Sequence, residues 1–130
     1  MINRKGKIVV LGSLASLVGL PNVAPYAASK HAIVGYFSSL RVDLMQRHSN
    51  VSITTCFIGS IDTDSARRVT KGTNLPDSIW ASPQQCAQAI ISNGECRVRD
   101  MYFPIHQTYP LFILRMFPAF VDFIVDKVGK

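Results

Sequence analysis

Two short apolar runs and the helix-forming stretch between them constrain this chain most. Residues 7–11 read KIVVL and residues 51–57 read VSITTCF. Both are β-branched, apolar runs of the length that suits a strand buried on its two faces. Between them Pro25 precedes Tyr26, and Ala27, Ala28, Ala32, Ile33, Phe37, Leu40 and Leu44 recur at helical spacing, which predicts a helix over residues 24–47. Strand, crossover helix, strand is the repeating unit of a parallel sheet. A weaker third strand is expected near residues 101–103, MYF. The expected fold class is therefore α/β, a doubly wound parallel sheet covered by helices on both faces.

The junction between the first run and the helix carries chemistry. Ser13 closes the strand, and Tyr26 and Lys30 stand four residues apart where the helix opens. Residues at that spacing share one helix face, about 6 Å apart. A phenol with a pKa near ~10 exchanges its proton poorly at neutral pH. A neighbouring ammonium favours the ionised phenol and brings it toward the range of a general acid or base. Ser13 can hydrogen-bond a substrate carbonyl or hydroxyl at the same point. The three residues suit the transfer of a proton on and off an oxygen.

Residues 7–71 resemble the carboxyl-terminal half of a short-chain dehydrogenase/reductase, and within that superfamily are most similar to the 11β-hydroxysteroid dehydrogenase type 1 and type-1-like group. The likeness rests on the interval from Ser13 to Tyr26, the run Tyr26-Ala27-Ala28-Ser29-Lys30, GYFSSLR at residues 35–41 and NVSITTCFIGSIDTDSA at residues 50–66. The superfamily caps its nicotinamide with Pro-Gly-x-x-x-Thr, which stands here as Ile58-Gly59-Ser60-Ile61-Asp62-Thr63, with Ile58 in place of proline. The resemblance implies hydride transfer between a nicotinamide cofactor, NADP(H) ahead of NAD(H), and a hydroxyl or keto group of a steroid or similar lipid. It implies that Tyr26 exchanges the proton, Lys30 supports it and holds the ribose, and Ser13 orients the substrate oxygen. Ile61, Asp62, Thr63 and Ser65 are the implied contacts to the carboxamide and phosphate end. The plain alternative for residues 61–65 is a strand-to-helix turn in which Asp62 or Thr63 is only an N-cap.

The same resemblance exposes what this sequence does not carry. The family receives the pyrophosphate on a Gly-x-x-x-Gly-x-Gly loop between its first strand and helix, and none of the 8 glycines here falls in that pattern. The residue that selects NAD or NADP and the asparagine of the family's proton relay have no counterpart either. The expectation is half of a Rossmann-type domain, with the amino-terminal half absent. One edge of the strand at residues 7–11 would then lie open, and marginal stability is expected.

Composition narrows the partners. The chain is 48% hydrophobic and 17% charged without low-complexity runs, which excludes a disordered tail. Its net charge is +6, and the basic residues are scattered in small groups such as Arg4, Lys5 and Lys7, Arg41 and Arg47, Arg67, Arg68 and Lys71, and Arg97 and Arg99. No basic stripe interleaves with aromatics, so nucleic acid is not the expected partner. Arg67 and Arg68 read plainly as a solvated helix face. Cys56, Cys86 and Cys96 lack metal spacing and read as free or buried thiols, and His31 as structural or exposed. Asn50-Val51-Ser52 fits a glycosylation sequon. The resemblance implies the endoplasmic reticulum, yet residues 1–6 are polar and basic with no targeting segment, so a cytoplasmic chain is the competing expectation.

Further along, Ser82 and Pro83 are expected to start a helix, Gly94 to end it, and Ala87, Ile90 and Ile91 to give it an apolar side. Residues 109–128 are rich in aromatics and aliphatics but include Arg115 and Asp122. An amphipathic helix pair is expected there, lying at a membrane interface, packing on a second copy in a homodimer, or covering the chain's own sheet. The domain division that follows is residues 1–107 for the partial dehydrogenase domain and residues 108–130 for the apolar tail. Two functions stand against each other: the hydroxysteroid-type oxidoreductase, and a truncated, non-catalytic form acting only through subunit or membrane association.

Overall fold

The computed structural model describes residues 5–71 and 75–128. Residues 1–4, with Arg4 and most of the polar amino terminus, residues 72–74, and residues 129–130 at the end of the expected tail lie outside them. Three strands, β1 (Lys5–Leu11), β2 (Asn50–Ile58) and β3 (Asp100–Phe103), form one parallel sheet in the order β1-β2-β3. Lys5 pairs with Asn50 through to Leu11 with Cys56, and Thr55 with Asp100 through to Ile58 with Phe103. The helix α1 (Ala24–Gln46) makes the first crossover, and α2 (Asp64–Val69) and α3 (Pro83–Glu95) lie within the second. The architecture is a partial doubly wound α/β domain, as the strand and helix pattern predicts.

Burial follows from strand position. The middle strand is buried continuously from Ile53 to Phe57, whereas Lys5, Lys7, Val9 and Leu11 on the edge strand are exposed at every second residue. Alternate residues of β2 serve opposite layers. Thr55 Oγ1 accepts from the Arg41 guanidinium of α1 at 3.0 Å, which puts the odd-numbered face toward α1. Cys56 lies beside Cys86 of α3 on the other face. Both thiols are buried, and burial pushes the Cys56 thiol up to about 11, with Cys86 adding to the shift.

Gly94 does not end α3, contrary to the expectation. The helix runs on to Glu95, and Arg97 is the residue with positive φ, at 56°. Gly94 is buried in the helix interior, where a Cβ would stand 2.8 Å from Val9 Cγ2 on β1. Its role is close packing of helix on strand. The face of α3 turned inward carries Cys86 and Gly94, and Ile91 is left 62% exposed. Nor does Ser82 cap the helix through its side chain, since its hydroxyl bonds to Gln84 Oε1 at 2.8 Å.

The expected helix pair appears as α4 (Ile105–Leu114) and α5 (Pro118–Val128). The division at 107/108 falls inside α4, which docks next to β3 with Thr108 fully buried and bonded to the Pro104 carbonyl at 3.0 Å. Val121 of α5 is 4% exposed and joins Leu17, Val18 and Phe57 in one apolar cluster. The tail therefore covers the chain's own sheet. Its other side shows Phe112, Ile113, Met116, Phe117, Phe120 and Phe123 to solvent. Among the described residues no helix is long and apolar enough to cross a membrane.

Candidate active site

The first half of the site forms where β1 hands over to α1. Pro25 sits in the first turn of α1, where its missing N–H costs nothing, and this places Tyr26 at the helix opening with 48% of its surface exposed. Ser29 Oγ donates to the Tyr26 carbonyl at 2.7 Å. One turn along, Lys30 Nζ donates to the Leu11 carbonyl at 2.9 Å and stands 5.7 Å from the centre of the Tyr26 ring. The ammonium is thus held between the phenol and the carboxyl end of β1. His31, its neighbour in sequence, turns back on α1, with Nδ1 2.9 Å from the Ala27 carbonyl.

Ser13 follows two residues after Leu11 and caps a short 3-10 turn, Leu14–Ser16. Its hydroxyl oxygen accepts from the Ala15 N–H at 3.2 Å, while its own N–H donates to Ser16 Oγ at 3.0 Å. This reciprocal pair fixes the Ser13 backbone and leaves its hydroxyl proton to donate. Ser16 is a residue that sequence reasoning missed. Ser16 stands at the position where a capping box carries glutamate or glutamine, so the sequence signature of that motif does not mark it.

The second half forms at the end of β2. Ile61 and Ala81 make a single parallel bridge, with the Asp62 N–H donating to the Ala81 carbonyl at 2.9 Å and the Ala81 N–H to the Ser60 carbonyl at 3.0 Å. Thr63 is the N-cap of α2, its Oγ1 accepting from the Ala66 N–H at 3.2 Å, so the plain capping alternative describes its local bonding. Ser65 is exposed in the first turn of α2. Asp62 pairs with Arg67 at 2.7 Å, and Arg67 reaches Asp77 at 3.1 Å and lies 4.4 Å from the centre of the Trp80 ring. The hydrogen bond from Arg67 holds the Asp62 carboxyl below the usual carboxylate range, and the two carboxylates push the guanidinium up. Arg67 is exposed but engaged, which corrects the reading of it as a merely solvated helix face.

Gln107, in the first turn of α4, was not legible as a site residue. Its Oε1 accepts from the Ser60 N–H at 3.0 Å and its Nε2 donates to the Ile79 carbonyl at 2.5 Å. No local pattern marks it, because its partners lie 47 and 28 residues away.

The structure therefore brings Tyr26, Lys30 and the segment leading into Ser13 together at the end of β1. It sets Ile61, Asp62 and Thr63 at the end of the adjacent strand β2, with Ser65 one turn into α2. Ligands of open parallel sheets bind outside the carboxyl ends of the strands. A phenol, a held ammonium and a hydroxyl at that place can exchange a proton with a bound oxygen. Fold and site together define a partial Rossmann-type domain of the kind that carries a Tyr-x-x-x-Lys pair.

The chain belongs to the short-chain dehydrogenase family, whose profile ("short chain dehydrogenase") matches residues 1–74. It is 39% identical over 124 residues to the hydroxysteroid 11-beta-dehydrogenase 1-like protein of Xenopus tropicalis, covering 95% of this chain and 43% of that protein. The protein of the same name from Gallus gallus is 43% identical over 127 residues, with the same shares, and that from Danio rerio 37% identical over 123 residues, covering 95% and 42%. The chain thus spans well under half the length of the curated relatives it matches. A solved structure assigned as a short-chain dehydrogenase from Novosphingobium aromaticivorans superposes with a TM-score of 0.55 at 16% identity, over 95% of this chain and 47% of that one. That likeness supports the fold.

Proposed function

We propose that this chain is the catalytic carboxyl half of an NADP(H)-linked oxidoreductase that acts on a hydroxyl or keto group of a steroid or similar lipid. The observation that carries the reading is the Lys30 to Leu11 bond, which sets the Tyr26 and Lys30 pair over the end of β1. The residues present fit a nicotinamide nucleotide. An ammonium has three donors, and the Leu11 carbonyl takes one, leaving others for a ribose diol. The Thr63 hydroxyl accepts from Ala66 and keeps its proton to donate.

When bound, the cofactor supplies or takes the hydride at the substrate carbon. In the reductive direction Tyr26 gives its phenolic proton to the substrate oxygen, and Ser13 donates a hydrogen bond to that oxygen. Lys30 balances the negative charge left on the phenol. Ile61, Asp62, Thr63 and Ser65 are assigned to the nicotinamide and phosphate end, with Asp62 acting while paired to Arg67. Residues 14–25 and 67–80 are assigned to the lipid.

Calorimetric titration of the chain with NADPH and then NADH tests the cofactor assignment: micromolar binding supports the oxidoreductase reading, and no binding by the folded chain supports association without catalysis. In a preparation that turns over, Tyr26→Phe should abolish the reaction while leaving cofactor affinity within about twofold. Retained turnover in that variant would remove Tyr26 from its role. A second reading, association without catalysis, is favoured by the outward aromatic side of α4 and α5. It places the chain on a second copy, or on the membrane of the endoplasmic reticulum. Sedimentation of the chain alone and with phosphatidylserine vesicles distinguishes these, and a monomer that ignores vesicles would sink both.

A further inference from the structure

One amide side chain joins the two loops of the site. Gln107 takes the Ser60 N–H with its oxygen and gives a proton to the Ile79 carbonyl with its nitrogen. Ser60 and Ile79 flank the Ile61 to Ala81 bridge, so the three contacts close a small frame around the turn that leads to Thr63. Gly59 leaves the room for it. A Cβ there would lie 2.5 Å from Gln107 Oε1 and 3.1 Å from Pro104 Cδ. Ile58 stands where the family's turn has proline, so no ring locks φ at this point. The constraint on the turn arrives from α4 instead. An amide is the side chain suited to it, since it accepts and donates from adjacent atoms, whereas a carboxylate only accepts.

We propose that Gln107 is a positioning residue for the nicotinamide end of the cofactor, acting through Ser60 and Ile79. This rests on the nicotinamide reading above. Gln107 holds residues 59–63 in the shape that receives the cofactor, and couples that shape to the helix that opens the aromatic tail.

The experiment compares wild type, Gln107→Leu and Gln107→Glu by amide hydrogen exchange at Ser60 and by NADP+ and NAD+ titration, each well below its own melting temperature. Gln107→Leu should speed exchange at Ser60 at least tenfold and weaken NADP+ binding at least tenfold, with exchange in α1 unchanged. Gln107→Glu should keep the Ser60 amide protected, since its oxygen still accepts. Its NADP+ affinity should be low at neutral pH and recover on acidification, as the carboxyl gains a proton to give to Ile79. A purely structural clamp would move the melting temperature without moving the affinity or giving it this pH profile. A folded Gln107→Leu that binds NADP+ as wild type does would overturn the role of Gln107 alone. A wild type that binds neither nucleotide would overturn the cofactor reading and this role together.

Discussion

The Lys30 ammonium is bonded to the Leu11 carbonyl at 2.9 Å, across 19 residues of sequence. The last residue of the edge strand and the first turns of the long helix are thereby fastened at one point, next to Tyr26. A charged donor on a backbone carbonyl is among the stronger side-chain hydrogen bonds, though partial exposure reduces its worth.

Lys30→Met should therefore lower the unfolding free energy by about 1 kcal/mol in urea denaturation, quite apart from any catalytic loss. Lys30→Arg should not restore it, because a planar guanidinium does not reproduce a compact ammonium on a flexible stem. Stability unchanged in Lys30→Met would mean that the bond to Leu11 contributes nothing in solution.

Gly94→Ala sets two effects against each other. Helix propensity favours alanine by about 1 kcal/mol, while the added Cβ meets Val9 Cγ2 at 2.8 Å. Overpacking of this kind costs roughly 1–3 kcal/mol, so the net expectation is destabilisation of about 1 kcal/mol. Combining it with Val9→Ala should remove the clash and bring out the propensity gain. A double-mutant cycle with no coupling would place α3 elsewhere.

Val121 and Phe123 lie two residues apart on α5, one buried at 4% and the other 59% exposed. Val121→Ala should cost about 2 kcal/mol. Phe123→Ala should leave monomer stability within about 0.5 kcal/mol. Equal, small effects in both would show that α5 does not pack on the sheet.

Cys56 gives the alkaline limit. Its folded pKa is raised to about 11 from an unfolded value near 9 by burial, so between those pH values the native chain holds a proton that the unfolded chain has lost. Stability is then fully present below about pH 9 and falls as pH rises toward 11. Cys86 is shifted in the same direction by burial, while Cys96 is exposed. Iodoacetamide at pH 8 should label Cys96 alone, with Cys56 and Cys86 reacting only on unfolding.

Much of the sheet and its crossover could be read from the sequence because each carries a period. The three strands and the 23-residue helix α1 appear within a few residues of their expected limits, and Tyr26 and Lys30 meet because helical spacing requires it. What could not be read depends on distant partners. Gly94 resembles a helix stop, and only the approach of Val9 from an edge strand explains a glycine inside α3. Arg97 takes the left-handed position that a glycine was expected to mark. Gln107 and the Arg67 pairs with Asp62 and Asp77 likewise follow from tertiary contacts that no local pattern encodes.

The Arg67 guanidinium over the Trp80 ring has an optical consequence. The chain contains 1 tryptophan, and its ring lies 4.4 Å from a cation that also grips Asp62 and Asp77. The tryptophan emission of the protein therefore comes from one place, the seam between the turn after β2 and the segment that follows it. Any ligand that draws Arg67 away changes the colour and intensity of that one indole, so occupancy of this corner can be followed without attaching a dye.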